Sequence, residues 1–207
     1  MVSFKELIED SKETFGDSSE RRLTISDVSW DSYELILAKL EDNSHYRVTY
    51  LDEVLEIVSP SKKHENVKSR IGFLLEFYCC KKKINHFSMG STTVRNRLKQ
   101  AGAEPDECYC FDDEKEIPDL AIEVTITSGS IKKLETYSRL GVKEVWFWKK
   151  NKFSLYYLRD LKQFVENFGY EEIQSSELIP ELNIAFLSEC VTIPNQVDAW
   201  EQFEQGI

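Results

Sequence analysis

The 207-residue chain is poor in residues that resist packing, with only eight glycines and five prolines. At 41% hydrophobic and with no repeat or low-complexity tract, that scarcity excludes disordered, collagen-like and mucin-like chains. Nor is there any run near the roughly 18–20 consecutive apolar residues that a membrane helix needs. The opening MVSFKELIEDSKETF is amphipathic and acidic, unlike a secretory signal or a transit peptide, so a cytoplasmic protein is expected. Histidine is scarce, at three, and the five cysteines (Cys79, Cys80, Cys108, Cys110, Cys190) form an adjacent pair, a CxC and a singleton. That is neither the even set of a disulfide framework nor the two separated ligand pairs of a zinc site. Reduced, buried thiols are the expectation. Positive charge is short as well: 26 Lys and Arg against 37 Asp and Glu leave a net charge of −11, which argues against a general nucleic-acid coat.

The deficit is uneven. Residues 61–100 hold ten basic side chains and only Glu65 and Glu76, whereas the flanking stretches are strongly acidic. Such a segment serves either as a phosphate-binding patch or as a solvated helix face, and charge alone does not separate the two.

Apolar spacing predicts a helix over 30–41 with Ser29 as N-cap, and strands over 46–51 and 54–58 joined by a tight turn at Asp52-Glu53. A long helix opens at Pro60-Ser61 and runs to about Lys82, with Val67, Ile71, Leu74, Leu75 and Tyr78 as its apolar stripe. Strand-like stretches follow at 91–98, 107–111 and 120–126. TSGS (127–130) reads as a strand exit, a short helix over 131–140 closes at Gly141, and strands fill 144–150 and 153–160. Consecutive strands followed by a helical crossover imply a mixed α/β (α+β) sheet flanked by helices. One domain is expected over 1–207, with an N-terminal helix/hairpin extension to about 44, a core over 45–160 and a C-terminal extension over 161–207.

The chemistry concentrates in EPDECYCFDDEKEIPDLAIEV. If DDEKE (112–116) is the turn of a symmetric hairpin, Asp106 lies directly opposite Glu123, with Cβ atoms roughly 4.5–5.5 Å apart. Alternation groups Asp106, Cys108, Cys110, Asp119, Ala121, Glu123 and Thr125 on a small-residue, polar face, and Tyr109, Phe111, Leu120, Ile122, Val124 and Ile126 on a core face. Two carboxylates so close repel unless a positive group joins them, and a divalent cation held by oxygen is one answer. The spacing equally fits a loop carboxylate beside a salt-bridged strand carboxylate. Asp119 shares the face but stands roughly 13 Å from Glu123 along the strand, which suits a residue that terminates the hairpin.

The segments GSTTVRN, GAEPDECYCF, PDLAIEVTITSGS and KLETYSRLGVKEVWFW, with SPSKKHENV upstream, together resemble the Uma2 family, in particular its cyanobacterial-type members. That family is placed among the PD-(D/E)xK, restriction-endonuclease-like proteins. The resemblance implies an αβββαβ core and an endonuclease that cuts DNA with Mg²⁺ or Mn²⁺. Pro105-Asp106 matches the PD half-motif and Glu123 the acidic member of (D/E)xK. Where the superfamily lysine would stand, two residues on, this chain has Thr125, and Lys133 of KLETY matches a lysine moved to the following helix. Asp106, Glu123 and Lys133 are then the implied catalytic residues. Asp106 and Glu123 would hold the metal. Glu65 resembles a helix-borne third acid but equally suits a solvated first-turn carboxylate. His64 reads as an orienting or N-terminal helix residue rather than a ligand, since magnesium prefers oxygen. Arg95, Arg97, Lys99 and Lys132 are candidate phosphate contacts. DNA as partner and a homodimer complete the expectation. A nuclease-fold protein that binds DNA or protein without cutting is the alternative, motivated by Thr125 and the acidic charge.

Overall fold

Local signals set the elements. The computed structural model describes residues 20–40, 45–125, 132–159 and 166–207, with Lys132 and Glu166 described in backbone only. The predicted TSGS turn, the helix start at Ile131, the core-face placement of Ile126 and the acidic opening segment lie outside these residues. Helix α1 (Trp30–Leu40) starts where Ser29 accepts from the Ser32 amide, and buries Trp30, Tyr33 and Leu37. Strands β2 (Arg47–Leu51) and β3 (Val54–Ser59) turn at Asp52 and Glu53, both at positive φ, the geometry that matches the twist of a two-residue hairpin. Helix α2 (Lys62–Lys82) opens with the Ser61 hydroxyl accepting from the His64 amide and stops at Lys83 in the left-handed region. Helix α3 (Lys132–Leu140) ends at Gly141, whose φ of +89° lets its N–H reach back to the Tyr137 carbonyl. None of the described helices is long and apolar enough to cross a membrane.

The strands form two sheets. In the first, β1 (Arg21–Ile25), β3, β2, β6 (Ala101–Ala103) and β5 (Val94–Asn96) lie side by side, all antiparallel. The second runs β11 (Tyr170–Ile173), β10 (Lys152–Leu158), β9 (Glu144–Lys149), β8 (Leu120–Thr125), β7 (Glu107–Phe111) and β4 (His86–Ser88), with β8 and β9 its parallel pair. The run α2, β4, β7, β8, α3, β9 is the expected αβββαβ order. Two expectations need correction. The chain builds two sheets rather than one, and the stretch 91–98 is not a continuous strand leading to Asp106. Asn96 caps a 3₁₀ turn over Arg97–Lys99 and Gln100 takes a left-handed φ of +48°, so the chain doubles back into β6 and joins the first sheet.

The face predicted as core packs as expected. Tyr109, Phe111, Leu120, Ile122 and Val124 meet Ile71, Leu74, Leu75 and Tyr78 of α2, and Leu187 of α4 (Ile184–Val191) and Phe203 of α5 (Gln196–Gln205) join them. Arg70 ties these last helices to α2 through the carbonyls of Val191 at 2.8 Å and Pro194 at 2.7 Å. The opposite face is a third correction. It is no polar surface: Ala121 is fully buried where α3 packs Leu134, Tyr137 and Leu140 over it and Val145, with Ala101 and Ala103 of β6 alongside. Cys108 and Cys110 are fully buried with their thiols against Gly90 and Met89. The cysteines are free thiols, four buried as expected, but Cys80 is exposed near the end of α2.

Asp119 does terminate the β7–β8 loop. It accepts from the Phe111 amide at 2.9 Å and from Lys115, and pairs with Lys143 at 2.9 Å. Burial pushes its carboxyl up, but Lys115, the Phe111 N–H and Lys143 outweigh burial and hold it below the usual range. A depressed carboxyl contributes stability above its unfolded value, about 3.9, and loses it as pH falls through the folded value. Asp119→Ala is therefore expected to cost about 1–3 kcal/mol at pH 7 by chemical denaturation, with the gap from wild type narrowing below about pH 4. A gap that holds constant at acid pH would refute this account.

Candidate active site

Register brings the first two site residues together. The β7–β8 ladder pairs Glu107 with Ile122, Cys108 with Ala121 and Tyr109 with Leu120, and the Asp106 amide donates to the Ile122 carbonyl at 3.1 Å. Asp106 thus stands opposite Glu123, as the hairpin symmetry predicted. Each carboxylate is then fixed at both oxygens. Asp106 Oδ2 accepts from the Val124 amide at 2.7 Å, and Oδ1 faces His64 Nε2 at 2.9 Å. Glu123 accepts from Tyr137 at Oε1 and from Lys133 Nζ at Oε2. Lys133 and Tyr137 are four residues apart, so α3 presents both on one face. Asp106 and Glu123 are only 2% and 3% exposed.

Burial and charge compete at every group. Burial pushes Asp106 up, yet the hydrogen bond and charge of His64, the Lys133 charge and the Val124 N–H together hold it below the usual carboxylate range. At Glu123 burial wins: Lys133 pulls the carboxyl down, the Asp106 charge pushes it up, and it ends above its ordinary value. Burial pulls Lys133 down, but Glu123 and Asp106 outweigh it and keep the amine protonated beyond its normal range. Burial and the neighbouring Glu123 raise Tyr137 far above an ordinary phenol, so it donates. His64 is pulled down by burial and more strongly up by Asp106 and Glu20, to about 9.

The remaining candidates scatter. Glu65 lies 3.8 Å from Arg47 and 4.0 Å from Lys68, and meets the carboxylate pair only through Arg47, whose Nε is 3.8 Å from Asp106. Arg95 and Arg97 turn to α1, pairing with Glu34 at 3.4 Å and Asp31 at 2.8 Å. Lys99 is exposed in the 3₁₀ turn, and the side chain of Lys132 lies outside the described residues. Thr125 is the buried last residue of β8, paired in register with Lys149. Three participants escaped sequence reasoning. Tyr137 was legible as the helical neighbour of Lys133 in KLETY. Arg47 and Glu20 carry no local signal, because strand pairing alone brings them in.

Among the described residues, no three His, Cys, Asp or Glu side chains group as a metal cage. The Asp106–Glu123 pair nevertheless suits magnesium, which keeps most of its waters and takes one or two carboxylates. Each oxygen retains a lone pair beyond its single hydrogen bond, and a cation would offset both the burial that chiefly lifts Glu123 and the smaller push from the Asp106 charge.

Two helix-flanked sheets with no barrel, an αβββαβ run and a carboxylate pair met by a helix-borne lysine are compatible with the restriction-endonuclease-like class of folds. Residues 30–187 match the model of the Uma2 family, described as "putative restriction endonuclease". The chain belongs to the Uma2 family. A comparison with curated proteins yields no match.

Breaking a buried ion pair by removing one partner leaves an uncompensated charge, a loss of about 3–5 kcal/mol. Lys133→Met should show that loss by urea denaturation of the metal-free protein, and Lys133→Met with Glu123→Gln should recover much of it. Strict additivity of the two substitutions would show that the pair is not coupled.

Proposed function

We propose that this protein is a metal-dependent endonuclease that hydrolyses phosphodiester bonds in DNA, with Asp106, Glu123 and Lys133 as its catalytic residues. The observation that carries the reading is that a carboxylate on β8 and one just ahead of β7 stand opposite each other, with an amine from the next helix on the first of them. The family's description points to the same chemistry. Asp106 and Glu123 would hold Mg²⁺ or Mn²⁺, which when bound polarises a phosphoryl oxygen and lowers the pKa of an attacking water. Asp106 is the stronger anion of the two, kept ionised by His64 and the Val124 N–H. Lys133, protonated and hydrogen-bonded to Glu123, would stand beside the negative charge that builds as water adds to phosphorus and the P–O bond breaks. Tyr137 keeps the other Glu123 oxygen in place. Within the basic stretch 61–100, Arg70, Arg95 and Arg97 are engaged by partners within the fold, whereas the exposed Lys62, Lys63, Lys82 and Lys83 of α2 and its cap are open to a polyanionic partner.

The burial of both carboxylates favours the second reading, a nuclease-fold protein that binds DNA or protein without cutting. The test is incubation of plasmid DNA with the purified chain and Mn²⁺. Nicking or cleavage is expected, lowered by at least about 100-fold in Asp106→Ala, Glu123→Ala and Lys133→Ala. Equal cleavage by Glu123→Ala removes the mechanism, and metal-independent, salt-sensitive DNA binding without product establishes the second reading.

A further inference from the structure

The family match begins at residue 30, yet a side chain ten residues upstream reaches the site. Glu20 precedes β1, which pairs with β3 in a register that sets Arg21 against Ser59. Glu20 is the residue just ahead of that end pair, as Pro60, which leads into α2, is the residue just after it. His64 lies in the first turn of α2, its amide capped by Ser61. Its Nδ1 stands 3.1 Å from Glu20 Oε2, and its Nε2 stands 2.9 Å from Asp106 Oδ1. The side chains of Glu20, His64 and Asp106 are each 3–4% exposed. Ionised carboxylates only accept, so the ring donates at both nitrogens. Arg22 stands 3.7 Å from Glu20 at one end of this chain of contacts, and Arg47, 3.8 Å from Asp106, joins Lys133 and Glu123 at the other.

We infer that Glu20 is a positioning residue that acts through His64 to hold the Asp106 carboxylate in the orientation that binds metal. The inference rests on the reading of Asp106 as a ligand. The Val124 N–H fixes one Asp106 oxygen, and the imidazole fixes the other. An imidazole hydrogen-bonded at one nitrogen only can pivot about that bond, and Glu20 removes this freedom by pinning the far side of the ring. The outward lone pairs of Asp106 then keep one direction. Groups that orient a ligand from behind commonly change metal affinity by about 10–100-fold when removed. Strand β1 is on this account part of the site, although its own residues would touch neither metal nor substrate.

The experiment is a Mn²⁺ titration of the full chain, followed by calorimetry, with thermal melting as a check on folding. Glu20→Ala is expected to weaken Mn²⁺ by about 10–100-fold. Glu20→Gln, whose side-chain oxygen still accepts, recovers part of that loss, which a purely structural role would not require. In a His64→Gln background Glu20→Ala adds little, because the relay is already cut. Wild-type affinity in Glu20→Ala, or its full effect persisting without His64, overturns the inference alone. Absence of saturable Mn²⁺ binding by the wild-type chain overturns the metal reading, and the inference with it. The metal-free protein supplies a further check, since exchange-protected N–H resonances are expected at both nitrogens of His64, and finding neither overturns the relay without any variant.

Discussion

The register of β7 against β8 is the constraint on which the rest of the site depends. Side chains on a strand alternate with a period of two, so a slip of one residue would send Asp106 to the face that α2 covers and leave Glu123 without its neighbour. Apolar burial on both sides of the sheet prevents that slip. Tyr109, Leu120, Ile122 and Val124 must face α2, and Ala121 must accept α3. The same packing that stabilises the sheet therefore places two acids side by side in a region nearly closed to solvent.

Placing acids there creates an electrostatic problem, and the surrounding elements resolve it unequally. Asp106 receives a backbone N–H from β8 and an imidazole from α2, and stays ionised against the cost of burial. Glu123 receives only side-chain donors, Lys133 and Tyr137, and remains the more readily protonated of the two. Environment pushing like groups apart in pKa is how one site obtains two different acids from two carboxylates. Lys133 sits on α3, the crossover between the parallel strands β8 and β9, so the element that sets the sheet's topology also delivers the amine.

The first sheet is more than a flank. β6 closes the face that carries the acids, β2 supplies Arg47, and the residue just ahead of β1 supplies Glu20. The fold thus encloses the carboxylate pair from α2, from α3 and from a second sheet. That enclosure is why the charges interact strongly rather than being screened by water.

Much was legible from residues alone. The Asp52-Glu53 turn, the Ser61 cap, the Gly141 terminus and the β7–β8 pairing all follow from local rules, since turn chemistry, capping and period-two alternation act over a few residues. The match of EPDE, PDLAIEV and KLETY to one family followed for the same reason, as motifs are local strings. What the sequence could not decide is which segments separated by tens of residues would meet. The break at Asn96–Gln100 that sends a strand into another sheet, the burial of a face that looked polar, and the arrival of Glu20 at His64 depend on how layers close over one another. By itself the sequence determined α1, the β2–β3 hairpin, α2, the strands β7 to β10 and the opposition of Asp106 to Glu123; only tertiary packing decided the remaining strands and what surrounds that pair, because burial and partner choice are properties of the assembled layers rather than of any stretch of chain.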